Sequence, residues 1–248
     1  FTNLESAPPP PPPYKAEDYY GNNTGYNNGY DTNNSYISPP SNLNREDKFR
    51  DIIRKHEISN EFSNRLQQLN GFKIVFIFDD SGSMNTILQD SPLNTSSTLF
   101  RATRWDELQY FANISIDIAS LFDPNGSDVY FLNRQPSPVR YVRQPADLAA
   151  YFTQKPNGFT PLSRVLMSVL NENTPAKLGE KKLLIVIATD GEPTNDNGKV
   201  NIPEFKQALL SRSAKVFTTI VACTDDDESV KYLNNWDRKL KNLDVVDD

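Results

Sequence analysis

The sequence predicts a doubly wound α/β domain of the Rossmann-like class, with a mostly parallel sheet and helices on both faces. Three observations point there. Lys73-Ile-Val-Phe-Ile-Phe-Asp79 and Leu183-Leu-Ile-Val-Ile-Ala-Thr189 are apolar runs without alternation, the pattern of strands buried on both faces. Between them, Leu108, Phe111, Ala112, Ile114, Ile118 and Leu121 recur at helical spacing. Strand-like and helical runs then alternate to the C terminus, as crossover-connected parallel strands require.

Taken in order, residues 1–44 form a biased tail holding eight of the eighteen prolines and six of the eleven tyrosines. The Pro8–Pro13 run favours polyproline II, and the Tyr/Asn/Gly stretch behind it has no period, so the tail is expected to be disordered. Pro11-Pro12-Pro13-Tyr14 resembles a WW-domain ligand, and reads either as a docking motif or as a spacer with a chance match. Residues 45–70 read as a helical lead-in. Phe49, Ile52, Ile53 and His56 share one face, Phe62, Leu66 and Leu69 another, and Ser59 can cap a second helix. His56 is expected to be a packed side chain rather than a catalytic one.

Residues 71–248 carry the α/β domain. After the strand ending at Asp79 come a helix from Trp105 to Phe122, a strand from Asp128 to Leu132, a short strand from Val139 to Val142 and a small helix near Asp147 to Phe152. A helix from Leu162 to Leu170, the strand ending at Thr189, a helix from Ile202 to Leu210 and a strand from Val216 to Ala222 follow. A helix from Val230 to Leu240 and a last short strand at Val245-Val246 complete the order.

Composition narrows the function. The formal net charge of −6 argues against nucleic acid or an anionic membrane as partner, since both favour a basic face. One cysteine, Cys223, and one histidine, His56, exclude a disulfide framework and a Cys/His zinc cluster. No apolar run reaches the roughly 18 residues of a membrane helix and no signal-peptide core is visible, so a cytoplasmic location is expected. The chain opens at Phe1 rather than Met, which leaves room for residues upstream.

Two strands end in an aspartate followed by a glycine-bearing loop, Asp79-Asp80-Ser81-Gly82-Ser83 and Thr189-Asp190-Gly191. A third loop, Gly158-Phe159-Thr160-Pro161, presents a threonine just before a helix. In open α/β sheets ligands bind beyond the carboxyl ends of the strands. Asp79, Ser81, Ser83, Thr160 and Asp190 are then five small oxygen donors on three loops, a set suited to a hard divalent cation, Mg²⁺ first and Mn²⁺ or Ca²⁺ next. Gly82 is expected to permit the tight backbone that three donors in five residues demand. The competing reading is a metal-free domain with polar loops.

Asp-x-Ser-x-Ser, Gly-x-Thr-Pro and Thr-Asp-Gly, in this order and each at a strand end, resemble the metal-ion-dependent adhesion site of von Willebrand factor A domains. The resemblance runs from about Gly71 to Asp248. Phe78-Asp79-Asp80-Ser81-Gly82-Ser83-Met84, Arg104-Trp105, Thr189-Asp190-Gly191-Glu192-Pro193-Thr194 and Leu243-Asp244-Val245-Val246-Asp247 are similar to intracellular-type members of eukaryotic microbes. Phe159 departs from the pattern, which has a second glycine there, and is expected to crowd the threonine loop. The resemblance implies a protein-binding module in which Ser81, Ser83 and Thr160 touch the metal while Asp79 and Asp190 hold coordinating waters. Neutral donors leave the cation electrophilic, so a partner's Glu or Asp carboxylate can complete its shell. Asp80 is expected to shape the loop, Glu192 to rim the site, and Asp225-Asp226-Asp227 to be a solvated acidic loop or part of that rim.

Two other functions compete. A Mg²⁺-dependent phosphohydrolase of the haloacid dehalogenase type also starts from a strand ending in aspartate, but it needs a second aspartate two residues on, where this chain has Ser81. No phosphate-binding glycine loop occurs, so no enzymatic activity is expected. The other alternative is a scaffold that works through its Pro/Tyr-rich tail.

Overall fold

The structure is a computed structural model of the 248-residue chain, and it describes residues 43–89, 91–94, 101–224, 230–233 and 236–247. The Pro11–Tyr14 motif, nearly all of the expected tail and the Asp225–Asp227 run lie outside the described residues.

Among the described residues a six-stranded sheet forms in the order β3-β2-β1-β4-β5-β6. Its strands are β1 (Phe72–Phe78), β2 (Ser127–Phe131), β3 (Val139–Val142), β4 (Lys182–Thr189), β5 (Val216–Ala222) and β6 (Leu243–Asp247). All pairings are parallel except β2 with β3. This is the expected doubly wound α/β architecture, with an antiparallel edge strand that carries the exposed, charged Arg140, a side chain that discourages further strand pairing.

The unbroken apolar run of β1 is accounted for by its position. Ile74, Phe76 and Phe78 enter one core cluster and Val75 and Ile77 the other, so successive side chains feed opposite faces. The first face is covered by α1 (Leu43–Lys55) and α3 (Arg104–Phe122), the second by α5 (Leu162–Glu172) and α7 (Ile202–Leu210). Thr103 starts α3 with a reciprocal cap, its side chain accepting from the Asp106 backbone while Asp106 accepts from the Thr103 backbone at 2.7 Å. Asn201 starts α7 by accepting from the Glu204 backbone.

The lead-in packs on the domain as part of the same core. Ile52 and Leu66 are buried in the cluster that holds α3, and the Phe49 ring meets Phe122 edge-on with centroids 6.4 Å apart. His56 Nε2 lies 2.9 Å from Asp117 of α3, which also accepts from Lys55 at 2.6 Å. Ser59 caps α2 (Asn60–Leu66), accepting from the Phe62 backbone. Phe62 itself stays about half exposed rather than joining Leu66.

Some element boundaries differ from expectation. The lead-in helix begins two residues earlier, at Leu43, and an extra short helix, α6 (Pro175–Leu178), precedes β4. The Asp147–Phe152 region divides into a 3-10 turn (Pro145–Leu148) and α4 (Ala149–Phe152). Of the helix expected from Val230 to Leu240, the described residues include the 3-10 turn Lys231–Leu233 and the short helix Trp236–Lys239.

Candidate metal centre

The chain leaves β1 outward through β2 and β3, then returns to place β4 on the other side of β1. That reversal opens a crevice at the carboxyl ends of β1 and β4, where Asp79 and Asp190 follow the last strand residues. Both are buried, at 0% and 1% exposure. The Asp79 backbone N–H donates to the Ala188 carbonyl at 2.9 Å, so the ladder continues to the first site residue.

Four of the five expected donors are joined directly. Ser81 N–H donates to Asp79 Oδ1 at 2.8 Å. The Ser81 and Ser83 hydroxyls are 3.0 Å apart, and Ser83 Oγ donates to Asp190 Oδ1 at 2.8 Å. Ser81 precedes the 3-10 turn Gly82–Asn85, whose Met84 side chain is fully buried and holds the turn down. Ser83 is exposed, so the cluster runs from two buried acids to a solvent-facing hydroxyl.

Thr160 comes to the same pole by a different route. Gly82 N–H donates to the Gly158 carbonyl at 3.0 Å, which ties the threonine loop to the serine turn. Thr160 N–H donates to Thr194 Oγ1 at 3.0 Å and Thr194 N–H returns a bond to the Thr160 carbonyl at 2.8 Å. Thr160 is 7% exposed. Among the described residues, no hydrogen bond links its hydroxyl to the other four donors.

The electrostatics are those of a site short of positive charge. Asp79 accepts from Thr189 Oγ1 at 2.6 Å and from Ser81, and among the described residues no cation pairs with it. Burial raises its carboxyl well above the ordinary range, and the neighbouring charge of Asp190 raises it further, against the hydrogen bonds from Thr189 and Ser81. Asp190 meets Arg104 Nη1 at 2.8 Å. Among the described residues no group of three or more His, Cys, Asp or Glu gathers as a metal cluster. The candidate set has only two acids, and its other three donors are hydroxyls. Two buried carboxylates around small hydroxyl donors fit a hard divalent cation.

Asp80, expected to shape the loop, is held by Asn133 and Arg134, which like Tyr232 had no assigned role in the sequence. Asp80, 1% exposed, turns from the cluster to accept from Asn133 N–H at 2.8 Å and Arg134 Nε at 3.0 Å. Burial raises its carboxyl, outweighing those bonds. Arg134 also donates to the Tyr151 and Gln154 carbonyls and stacks its guanidinium 4.4 Å from the Trp105 ring centroid. Asn133 Nδ2 donates to the Phe159 carbonyl at 2.8 Å, linking Asp80 to the threonine loop. Only the position of Asn133-Arg134, directly after β2 and Leu132, was a signal. Tyr232 donates to the Gly191 carbonyl at 3.3 Å. Burial, followed by the charges of Asp79 and Glu192, raises its phenol, so it stays a neutral donor.

Two local expectations are corrected. Gly82 has no left-handed backbone, and a Cβ there would meet its nearest atom, the Gly158 oxygen, at 3.7 Å. The glycine requirement falls on Gly158, at φ +107°, where a Cβ would lie 2.6 Å from Asn133 Cγ. Phe159 does not crowd the site. Its ring is about half exposed and lies over Gly198, whose Cβ would sit 2.4 Å from Phe159 Cε1.

No protein-family model and no curated protein matches the chain. Among solved structures it is similar to a von Willebrand factor type A protein from Catenulispora acidiphila, at 17% identity and a TM-score of 0.41. The match covers 66% of this chain and 36% of that one, so the chain spans about a third of the neighbour's length.

Proposed function

We propose that the chain is a divalent-metal-dependent protein-binding module, in which Asp79, Ser81, Ser83, Thr160 and Asp190 hold Mg²⁺, or Mn²⁺ or Ca²⁺, to capture a Glu or Asp carboxylate of a partner. The observation that carries this reading is the pair of buried carboxylates at the switch point, Asp79 lacking a cationic partner among the described residues and Asp190 bonded to Ser83. A bound cation would supply the missing positive charge and an electrophilic position for an incoming carboxylate. The chain's own residues do the rest. Thr189 and the Ser81 backbone hold Asp79 in place, Arg104 and Ser83 orient Asp190, and Asp80 with Asn133 and Arg134 sets the threonine loop.

The resemblance of the three loops to the metal-ion-dependent adhesion site of intracellular-type von Willebrand factor A domains belongs to the same proposal. So does binding without catalysis, supported by Ser81 standing where a phosphohydrolase of this layout needs its second aspartate. A cytoplasmic location is part of the proposal too, supported by the single cysteine. No helix of the described residues is long and apolar enough to cross a membrane.

The test is calorimetric titration of Mg²⁺ and Mn²⁺ into the wild-type chain, Asp79→Ala and Thr160→Ala. One saturable site, lost in both variants, is the expected result, and partner capture then disappears in excess chelator. Capture that persists unchanged in chelator overturns the reading. So does Mg²⁺-dependent phosphatase turnover that Asp79→Asn abolishes.

A further inference from the structure

Arg104 brings a fixed positive charge to the place where a divalent cation is proposed to sit. Its Nη1 donates to Asp190 Oδ2 at 2.8 Å, with side-chain exposures of 12% for Arg104 and 0% for Asp190. Its Nε is buried without a hydrogen-bond partner among the described residues. The residue opens α3 immediately after the Thr103 cap, and its backbone N–H donates to the Thr86 carbonyl at 3.0 Å. The guanidinium is therefore carried by a 19-residue helix tied to the serine turn, rather than by a loop that could swing it away.

We infer that Arg104 makes the site depend on the partner: it prevents a divalent cation alone from balancing the local charge, so that an incoming carboxylate completes the site. The inference rests on the metal-binding reading above. Asp79 and Asp190 bring two negative charges and a divalent cation two positive ones, which on their own would be neutral. Arg104 adds one more positive charge, and a single monoanionic carboxylate restores neutrality. Its guanidinium also occupies Asp190 Oδ2, which leaves Oδ1, shared with Ser83, as the oxygen facing the other donors. A fixed positive charge beside a divalent cation repels it, and each roughly 1.4 kcal/mol of that repulsion is a tenfold change in affinity. Arg104 is thus a positioning residue that trades resting metal affinity for selectivity toward carboxylate-bearing ligands.

The experiment titrates Mn²⁺ into the full chain by calorimetry for wild type, Arg104→Gln and Arg104→Lys, with and without acetate as the carboxylate probe. Arg104→Gln is expected to bind Mn²⁺ alone about tenfold more tightly and to lose the gain in affinity that acetate gives wild type. Arg104→Lys keeps the charge and stays close to wild type in both readouts. Metal binding that is equal or weaker in Arg104→Gln, with the acetate effect intact, overturns the Arg104 inference and leaves the metal site standing. No Mn²⁺ binding by any protein, with or without acetate, sinks the metal reading and this inference together. Should Arg104→Gln fail to fold, the wild-type acetate effect decides, and its absence overturns the inference.

Discussion

Gly158 and Arg134 are the residues on which the site's geometry turns, and neither is an expected ligand. At φ +107°, with Asn133 Cγ 2.6 Å from where a Cβ would stand, Gly158 has neither the backbone freedom nor the space for a side chain. Gly158→Ala is expected to cost about 1–3 kcal/mol and to weaken metal binding by moving Thr160. Gly82→Ala is expected to leave stability within about 0.5 kcal/mol, and paired thermal melts and metal titrations check both. Arg134 presents a different physics. It is 9% exposed and pairs with an Asp80 that is 1% exposed, so Arg134→Ala strands a buried carboxylate and is expected to cost about 3–5 kcal/mol. A denaturant melt measures that loss, and a loss under 1 kcal/mol would mean that water reaches Asp80.

At the scale of elements, the lead-in helix α1 is held to α3 by one acid as well as by apolar packing. Burial alone would raise the Asp117 carboxyl, but the hydrogen bonds and charges of Lys55 and His56 prevail, leaving it below its ordinary value. A carboxyl whose folded value is depressed stabilises the fold fully above its unfolded value, here 3.8, and loses that contribution as pH falls through the folded value. Protection of the Leu43–Lys55 amides, relative to their intrinsic exchange rates, should therefore fall below about pH 4, and Asp117→Asn should remove most of that step. An unchanged step in the variant would assign the acid sensitivity to other carboxylates. On the opposite face, Phe205 of α7 is fully buried with its ring 6.2 Å from that of Trp236. Phe205→Ala is expected to cost about 3–5 kcal/mol while leaving metal affinity unchanged, because α7 supplies none of the five donors.

For the whole molecule, binding to the native state alone appears as added stability. Mg²⁺ or Mn²⁺ at a hundred times its dissociation constant should add about 2.7 kcal/mol, visible as a rise in melting temperature that chelator reverses. Asp79→Ala should show no such rise while keeping its fold, since it removes a buried charge with no cationic partner among the described residues. Partner capture provides the second measurement at this scale. A chain lacking residues 1–42 should still bind a carboxylate-bearing partner in a metal-dependent way. Capture lost with those residues and indifferent to metal would move the function to the Pro/Tyr-rich segment.

The strands and the acids at their ends were legible in the amino-acid order because both follow from local rules. Past Lys73 and Lys182 at their starts, β1 and β4 run through apolar residues because a central parallel strand is covered on both faces, and Asp79 and Asp190 stand out as the first charges after those runs. Ser59 could likewise be assigned its role from position alone, since a cap depends on residues within four of each other. Other features depend on contacts between residues far apart in the chain. Arg104 meets Asp190 across 86 residues and Arg134 meets Asp80 across 54, and nothing near either arginine marks it as buried. Phe159 turned outward because Gly198, 39 positions on, left room for its ring. The amino-acid order determined the sheet, its buried strands and the candidate ligands, since periodicity and burial act within one element. Tertiary structure alone decided which charge meets which acid and which glycine is indispensable, because those depend on how separate elements pack.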